Sequence, residues 1–386
     1  MNLLEETCAH LARLIAFPTV SSDSNLEMIA HLAGVLELCG ARVEVQHDES
    51  GTKANLLATI GPEGDGGIML SGHSDVVPVD EQTWQSDPFE MVEHDGKLFG
   101  RGTCDMKGFI AACLAIAPRF AEVKPTRPIH FAFTHDEEVG CIGAGHLVQM
   151  LQDKGLRPAM AIIGEPTEMR IIEGHKGCNE YTTHFHGLAG HGSAPEMGVS
   201  AVEYAVRYVG RILELKDQLR ARAPEGSRFE PPWTTINVGG LHGGVAHNVI
   251  AENAWVEWDM RPVQRGDAEF VKADLRAYCD EVLLPAMQKV HPDARIETEV
   301  IGEVEGLTPM EENEARRVVA ELTGANTAGL VPFGTEAGIF QTFGMDVVVC
   351  GPGSIEQAHK PDEFIAIEQL GACLEMLEKL VARVAA

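Results

Sequence analysis

Ile68-Met69-Leu70-Ser71-Gly72-His73-Ser74-Asp75 runs from three consecutive apolar residues into an imidazole and then a carboxylate. Three other short apolar runs lead the same way: Phe131-Ala132-Phe133 ahead of Glu137-Glu138, Ala161-Ile162-Ile163 ahead of Glu165, and Val347-Val348-Val349 ahead of His359. Near-continuous hydrophobic runs of this length mark parallel strands buried on both faces, and open α/β sheets take their ligands just beyond the carboxyl ends of such strands. Residues far apart in the chain then converge at one rim. The residue types gathered there suit a metal-dependent hydrolase.

Around these runs the first 178 residues alternate amphipathic helices, near 26–39, 106–120 and 142–153, with the apolar strands, the pattern of a doubly wound α/β sheet. From 179 to 302 the order becomes strand, helix, two strands, helix, strand (near 180–187, 199–216, 234–240, 249–261, 267–288 and 294–300), a ferredoxin-like βαββαβ unit. Helical periodicity over 311–322, a strand over 347–350 and a helix over 367–385 then resume the first pattern. The expected organisation is a discontinuous catalytic domain, 1–178 with 303–386, built on a doubly wound mixed sheet, and an inserted domain, 179–302.

Composition narrows the class. At 386 residues with 45% hydrophobic content, the chain has material for two globular cores. No run approaches the ~18 uncharged apolar residues of a membrane span, and residues 1–30 lack a basic region followed by a hydrophobic signal core. A formal charge of −28 repels phosphate backbones, which argues against a nucleic-acid partner. Nine cysteines without a C-x-x-C pair fit reduced thiols in a cytoplasm better than disulfides or a zinc knuckle.

Five short stretches carry the chemistry. His73 followed two residues on by Asp75 suits an imidazole ligand whose second nitrogen is held by a carboxylate; a satisfied strand-end histidine is the plainer alternative. In Gly100-Arg101-Gly102-Thr103-Cys104-Asp105-Met106-Lys107-Gly108, Asp105 precedes a helix and reads either as an N-cap or as a carboxylate bridging two cations about 3.5–4 Å apart. The run Asp136-Glu137-Glu138 is either an exposed loop or a site where one glutamate ligates a cation and its neighbour serves as general base. Glu165 and His359 add one more acid and one more imidazole. The set contains no thiolate, and Cys104 has no basic partner. It therefore suits catalytic zinc, cobalt or manganese better than a structural zinc site. No G-x-S-x-G, G-K-[ST] or H-E-x-x-H pattern competes.

Together these motifs resemble the dinuclear-zinc deacylase and peptidase family that includes acetylornithine deacetylase, succinyl-diaminopimelate desuccinylase and the aminoacylases, and the likeness covers nearly the whole chain. The resemblance implies two divalent ions per subunit, one held by His73, Asp105 and Glu165, the other by Asp105, Glu138 and His359. Asp75 would orient His73, and Glu137 would be the base. It also implies a cis peptide at Asp105-Met106, a lid and dimerisation role for the insert in a homodimer, and a His191 that reaches the neighbouring subunit's substrate. Asn248, Arg261 and Thr335 match substrate-binding positions, although Arg261 also reads as a domain ion pair and Asn248 as a turn residue.

Within the family, His175-Lys176-Gly177, Gly334-Thr335-Glu336-Ala337 and Gly351-Pro352-Gly353-Ser354 look most like the acetylornithine deacetylases. That implies an N-acyl amino acid substrate, with Lys176, Arg261 or main-chain amides near Thr335 holding its α-carboxylate. Glu336 stands where such enzymes often carry Asp, which would reshape the side-chain amine pocket. A desuccinylase, a broader deacylase or dipeptidase, and a metal-stabilised scaffold without activity are the alternatives.

Overall fold

The computed structural model describes residues 2–385. Two compact units divide the chain. The first comprises Met1–Gly174, Pro309–Leu330 and Thr335–Ala386; the second comprises His175–Thr308 and Val331–Gly334.

Eight strands form one mixed sheet in the order Arg42–His47, Ala54–Ile60, Ile129–Thr134, Ile68–His73, Met160–Pro166, Asp346–Gly351, Ile172–His175 and Gly329–Val331. The four strands from Ile129–Thr134 to Asp346–Gly351 run parallel, and three of them are buried at every residue. These are the strands whose sequences lack polar alternation, as two-sided burial requires. Arg42–His47 and Ala54–Ile60 extend the sheet antiparallel. They were not read from the sequence, because Arg42–His47 is an edge strand with mixed polarity and no buried residue. The helices Leu3–Ile15, Gly108–Val123, Glu314–Thr323 and Ile367–Val384 contribute their apolar faces to the same core, through Leu11, Phe109, Val318 and Leu377 among others.

In the second unit a four-stranded antiparallel sheet runs Thr235–Gly243, Asn253–Arg261, Cys178–His186, Arg295–Val304. Its two central strands, Asn253–Arg261 and Cys178–His186, alternate buried and less buried residues, as a sheet covered on one face does. The helices Ala201–Ala221 and Asp267–Tyr278 share a core with that inner face through Tyr208, Ile212 and Leu275. Two elements differ from the sequence reading. The helix expected over 267–288 passes through a π turn at Cys279–Leu283 before Leu284–Gln288, where Pro285 lacks the N–H that would continue an α ladder. The strand expected over 249–261 breaks after Ile250, and Val249–Ile250 pairs instead with Gly190–His191.

Candidate active site

His73 closes the strand Ile68–His73 and is 1% exposed. Its Nε2 lies 3.0 Å from Asp105 Oδ1 and 3.6 Å from Glu165 Oε1. Glu165 belongs to the buried strand Met160–Pro166, where a Cβ on the preceding Gly164 would stand 2.0 Å from Phe109 Cγ. Only glycine lets that ring pack beside the ligand-bearing strand.

Asp105 lies in a π turn, Thr103–Lys107, that leads into Gly108–Val123. Lys107 holds the cap position and no side chain caps the helix, so the Asp105 carboxylate serves no N-cap. Its second oxygen, Oδ2, is 3.4 Å from His359 Nε2, and His359 Nε2 is also 3.0 Å from Glu138 Oε2. The Asp105-Met106 peptide is cis. The three consecutive acids diverge: Asp136, at φ 53°, pairs with Lys53 at 2.8 Å, Glu138 faces His359, and Glu137 Oε1 accepts from Cys141 Sγ at 3.3 Å.

Asp75 differs from its expected placement. His73 Nδ1 bonds at 2.9 Å to the main-chain carbonyl of Asp75, while the Asp75 carboxylate stands 3.7 Å from Nδ1. That carboxylate accepts instead from the main-chain N–H groups of Glu137 at 3.1 Å and Glu138 at 3.3 Å, and from Ser21 Oγ at 2.7 Å. Asp75 therefore fixes the turn that presents both glutamates. Glu336 also differs. Its carboxylate accepts from Ser71 Oγ at 2.6 Å and Thr134 Oγ1 at 2.8 Å, so it ties two parallel strands together inside the core and faces no substrate amine. Sequence reasoning missed Ser21, Ser71 and Thr134, since lone hydroxyl residues carry no spacing signal.

The charges show what the cluster lacks. Burial first, with Glu138, Asp105 and Asp75 adding and His73 opposing, raises Glu137 to about 8. Burial and then Asp105 raise both Glu138 and Glu165. Hydrogen bonds to Asp105 and Glu138 lift His359 to about 10. His73, which burial alone would lower, ends well above its ordinary value because Glu165 and Asp105 face it. Asp105 opposes its burial penalty with the same two imidazoles and falls below the carboxylate range. Asp105 apart, the shifts run one way: a buried pocket with more acid than cation favours the protonated form of its groups.

Two triads bring one donor atom each within 4.8 Å of one another, His73 with Glu137 and Glu165, and His73 with Asp105 and Glu138. These groupings overlap, and the imidazole contacts sort them better, since His73 faces Asp105 and Glu165 while His359 faces Asp105 and Glu138. Imidazole and carboxylate donors without a thiolate fit catalytic divalent ions; Cys104 donates to Ser354 O at 3.1 Å and burial holds its thiol far above neutrality. All nine cysteines are free thiols.

Four expected substrate residues lie in the second unit. His191 is exposed, and its Nδ1 accepts the Ser193 main-chain N–H at 3.2 Å and contacts Ser193 Oγ at 2.7 Å. An N–H donor requires a lone pair on Nδ1, so in a neutral ring the proton resides on Nε2. Asn248 is exposed beside His191, because Gly192 N bonds Asn248 O at 2.7 Å. Arg261 contacts Asp259 at 2.9 Å and Glu180 at 3.5 Å. Lys176 is buried and donates to Pro231 O at 2.9 Å and Trp233 O at 3.4 Å. Thr335, in the first unit, is buried and accepts from Ala337 N at 3.1 Å.

The sequence pattern of peptidase family M20/M25/M40 matches residues 69–383, a span that includes every imidazole and carboxylate of the cluster. The chain belongs to the M20/M25/M40 peptidase family. It is a hydrolase acting on amides. It is similar to the acetylornithine deacetylase of Pasteurella multocida (strain Pm70), with 37% identity over 96% of each chain, and to that of Klebsiella pneumoniae (strain 342), with 36% identity over 95% of each. Its fold resembles an M20 family metallo-carboxypeptidase, Sso-CP2 from Sulfolobus solfataricus, with TM-score 0.74, 17% identity and 99% coverage of both chains. Among the described residues no helix is long and apolar enough to cross a membrane.

Proposed function

We propose that this M20 hydrolase removes the acetyl group from N2-acetyl-L-ornithine, giving acetate and L-ornithine, at a two-metal centre. His73, Asp105 and Glu165 hold one divalent ion and Asp105, Glu138 and His359 the other, with zinc the first candidate. The observation that carries the reading is Asp105, whose two oxygens face different imidazoles at 3.0 and 3.4 Å, as a bridging carboxylate requires. When bound, such ions supply Lewis acidity and a water that loses its proton near neutrality.

The chain's own groups do the rest. Asp75, through the Glu137 and Glu138 main-chain N–H groups, sets Glu137 toward the reacting water. Glu137 takes the water's proton on a carboxylate oxygen and passes it to the departing amine nitrogen. His191 carries its proton on Nε2 and donates it as a hydrogen bond to the carbonyl oxygen as negative charge develops there. Arg261, Asn248, Lys176 and Thr335 are assigned to the substrate's carboxylate and acyl ends. The second unit is assigned the lid and dimerisation role, in a cytoplasmic homodimer.

The deacetylase relatives at 36–37% identity support the choice of substrate. A release assay over N2-acetyl-L-ornithine, N-acetylmethionine, N-succinyl-diaminopimelate and simple dipeptides, with and without zinc, tests it. Metal-dependent turnover highest on N2-acetyl-L-ornithine is expected; preference for the succinyl compound or a dipeptide moves the substrate assignment, and inertness toward all of them defeats the enzyme reading.

A further inference from the structure

Glu363 lies four residues after His359, and its carboxylate turns to the Asp105 turn. It is 1% exposed, and its carboxylate accepts three main-chain N–H groups of the Asp105 turn: Gly102 at 3.0 Å on Oε2, Cys104 at 2.9 Å and Asp105 at 3.1 Å on Oε1. Arg101, also 1% exposed, adds a charge-assisted bond from Nη1 to Oε2 at 2.7 Å. A carboxylate that receives converging N–H donors and a guanidinium is a fixed anchor, since removing it leaves several buried donors unpaired at once.

The anchor joins two chain segments. Phe364–Ala366 pairs antiparallel with Lys97–Phe99, and Gly100 N donates to Glu363 O at 2.9 Å, so the strand pairing delivers Glu363 to the start of the Asp105 turn. On the other side Arg101 Nη1 reaches Lys360 O at 3.3 Å, Arg101 Nη2 bonds Gln82 Oε1 at 2.7 Å, and Gln82 Nε2 donates to His359 O at 3.1 Å.

The two segments depend on this anchor unequally. Met106 within the Asp105 turn and Phe109 and Ile110 after it, all at 0–1% exposure, hold Asp105 against the core by packing as well. The His359 loop has little such packing: the His359 side chain is 54% exposed, and His359 and Asp362 sit at φ 62° and 55°, a left-handed conformation that persists only where surroundings impose it.

We infer that Glu363, clamped by Arg101, is a positioning residue that fixes the His359 loop against the Asp105 turn and thereby sets the affinity of the His359-side metal site. This rests on the two-metal reading above. Loss of Glu363 should weaken that site far more than the site of His73 and Glu165, whose ligands come from packed strand ends.

Zinc titration by competition with a chromophoric chelator, on metal-stripped full-length chains of wild type, Glu363→Gln, Glu363→Ala and Arg101→Gln, tests the inference. The wild type is expected to show two tight sites. The variants should keep one and weaken the other by roughly 10–100-fold, the range for lost supporting contacts, with Glu363→Ala the larger effect. Two wild-type affinities in folded Glu363→Ala, or an equal loss at both sites, overturns the positioning role. A wild type that binds no zinc instead removes the metal centre itself, and the inference with it. Should the variants not fold, hydrogen exchange on the metal-free wild type decides: the Gly102, Cys104 and Asp105 amides should be strongly protected, and rapid exchange there contradicts the anchor.

Discussion

Asp105 stands between two imidazoles, Oδ1 at 3.0 Å from His73 Nε2 and Oδ2 at 3.4 Å from His359 Nε2. The two histidines lie 286 positions apart in the chain, and among the described residues Asp105 is the acid that pairs with both. Asp105→Ala should therefore weaken both metal sites together, each by more than the roughly 10–100-fold that follows loss of a supporting residue, and abolish measurable turnover. Metal analysis after dialysis checks this; full retention of two ions would show that Asp105 bridges nothing.

Glu137 lies within 4.8 Å of His73 and Glu165, its carboxylate accepts from Cys141 Sγ, and its turn is held by Asp75. Glu137→Gln should lower kcat by about 10²–10⁴-fold while leaving metal content unchanged. Loss of metal in parallel with activity would make Glu137 a ligand rather than a base.

Metal loading should release protons. In the metal-free cluster His359 keeps its proton up to about 10 and Glu137 up to about 8, whereas a ligating imidazole must be neutral. At pH 7 zinc binding then displaces at least about one proton per chain, and affinity rises with pH across neutrality. Calorimetry of zinc binding in buffers of different ionisation enthalpy measures the release; no dependence on buffer would contradict an excess of bound protons in the metal-free cluster.

Far from the site, His130 is buried, bonds Thr59 Oγ1 at 2.9 Å, and is held by burial, with a smaller push from Arg42, at about 4 instead of 6.5. Above 6.5 both folded and unfolded states are neutral here and stability is indifferent to pH. Between 6.5 and 4 only the unfolded chain takes up the proton, so stability falls as pH falls, by up to about 3 kcal/mol for this residue. His130→Gln should lose correspondingly less stability on acidification from pH 7 to 4.5, read from urea midpoints. Equal acid losses in the two proteins would rule the histidine out.

The parallel strands were legible because two-sided burial writes itself as unbroken apolar sequence, as in Ile68-Met69-Leu70 and Val347-Val348-Val349. His73, Glu138, Glu165 and His359 were legible because they follow those runs, and Asp105 because its motif leads into a helix. The bonds that aim them were not. Asp75 was expected to hold His73 with its carboxylate, yet the local geometry places its main-chain carbonyl nearer to the ring and turns the carboxylate to Glu137, Glu138 and Ser21. Glu363 bonds to residues some 260 positions away, and no periodicity records a contact formed only when two loops meet.

Anomalous diffraction at the zinc absorption edge, from crystals of the full-length chain equilibrated with zinc, locates the ions themselves. Two peaks about 3.5–4 Å apart, one beside His73 and Glu165, the other beside Glu138 and His359, with the Asp105 carboxylate between them, are expected. A single peak, or peaks away from Asp105, would contradict the two-metal centre.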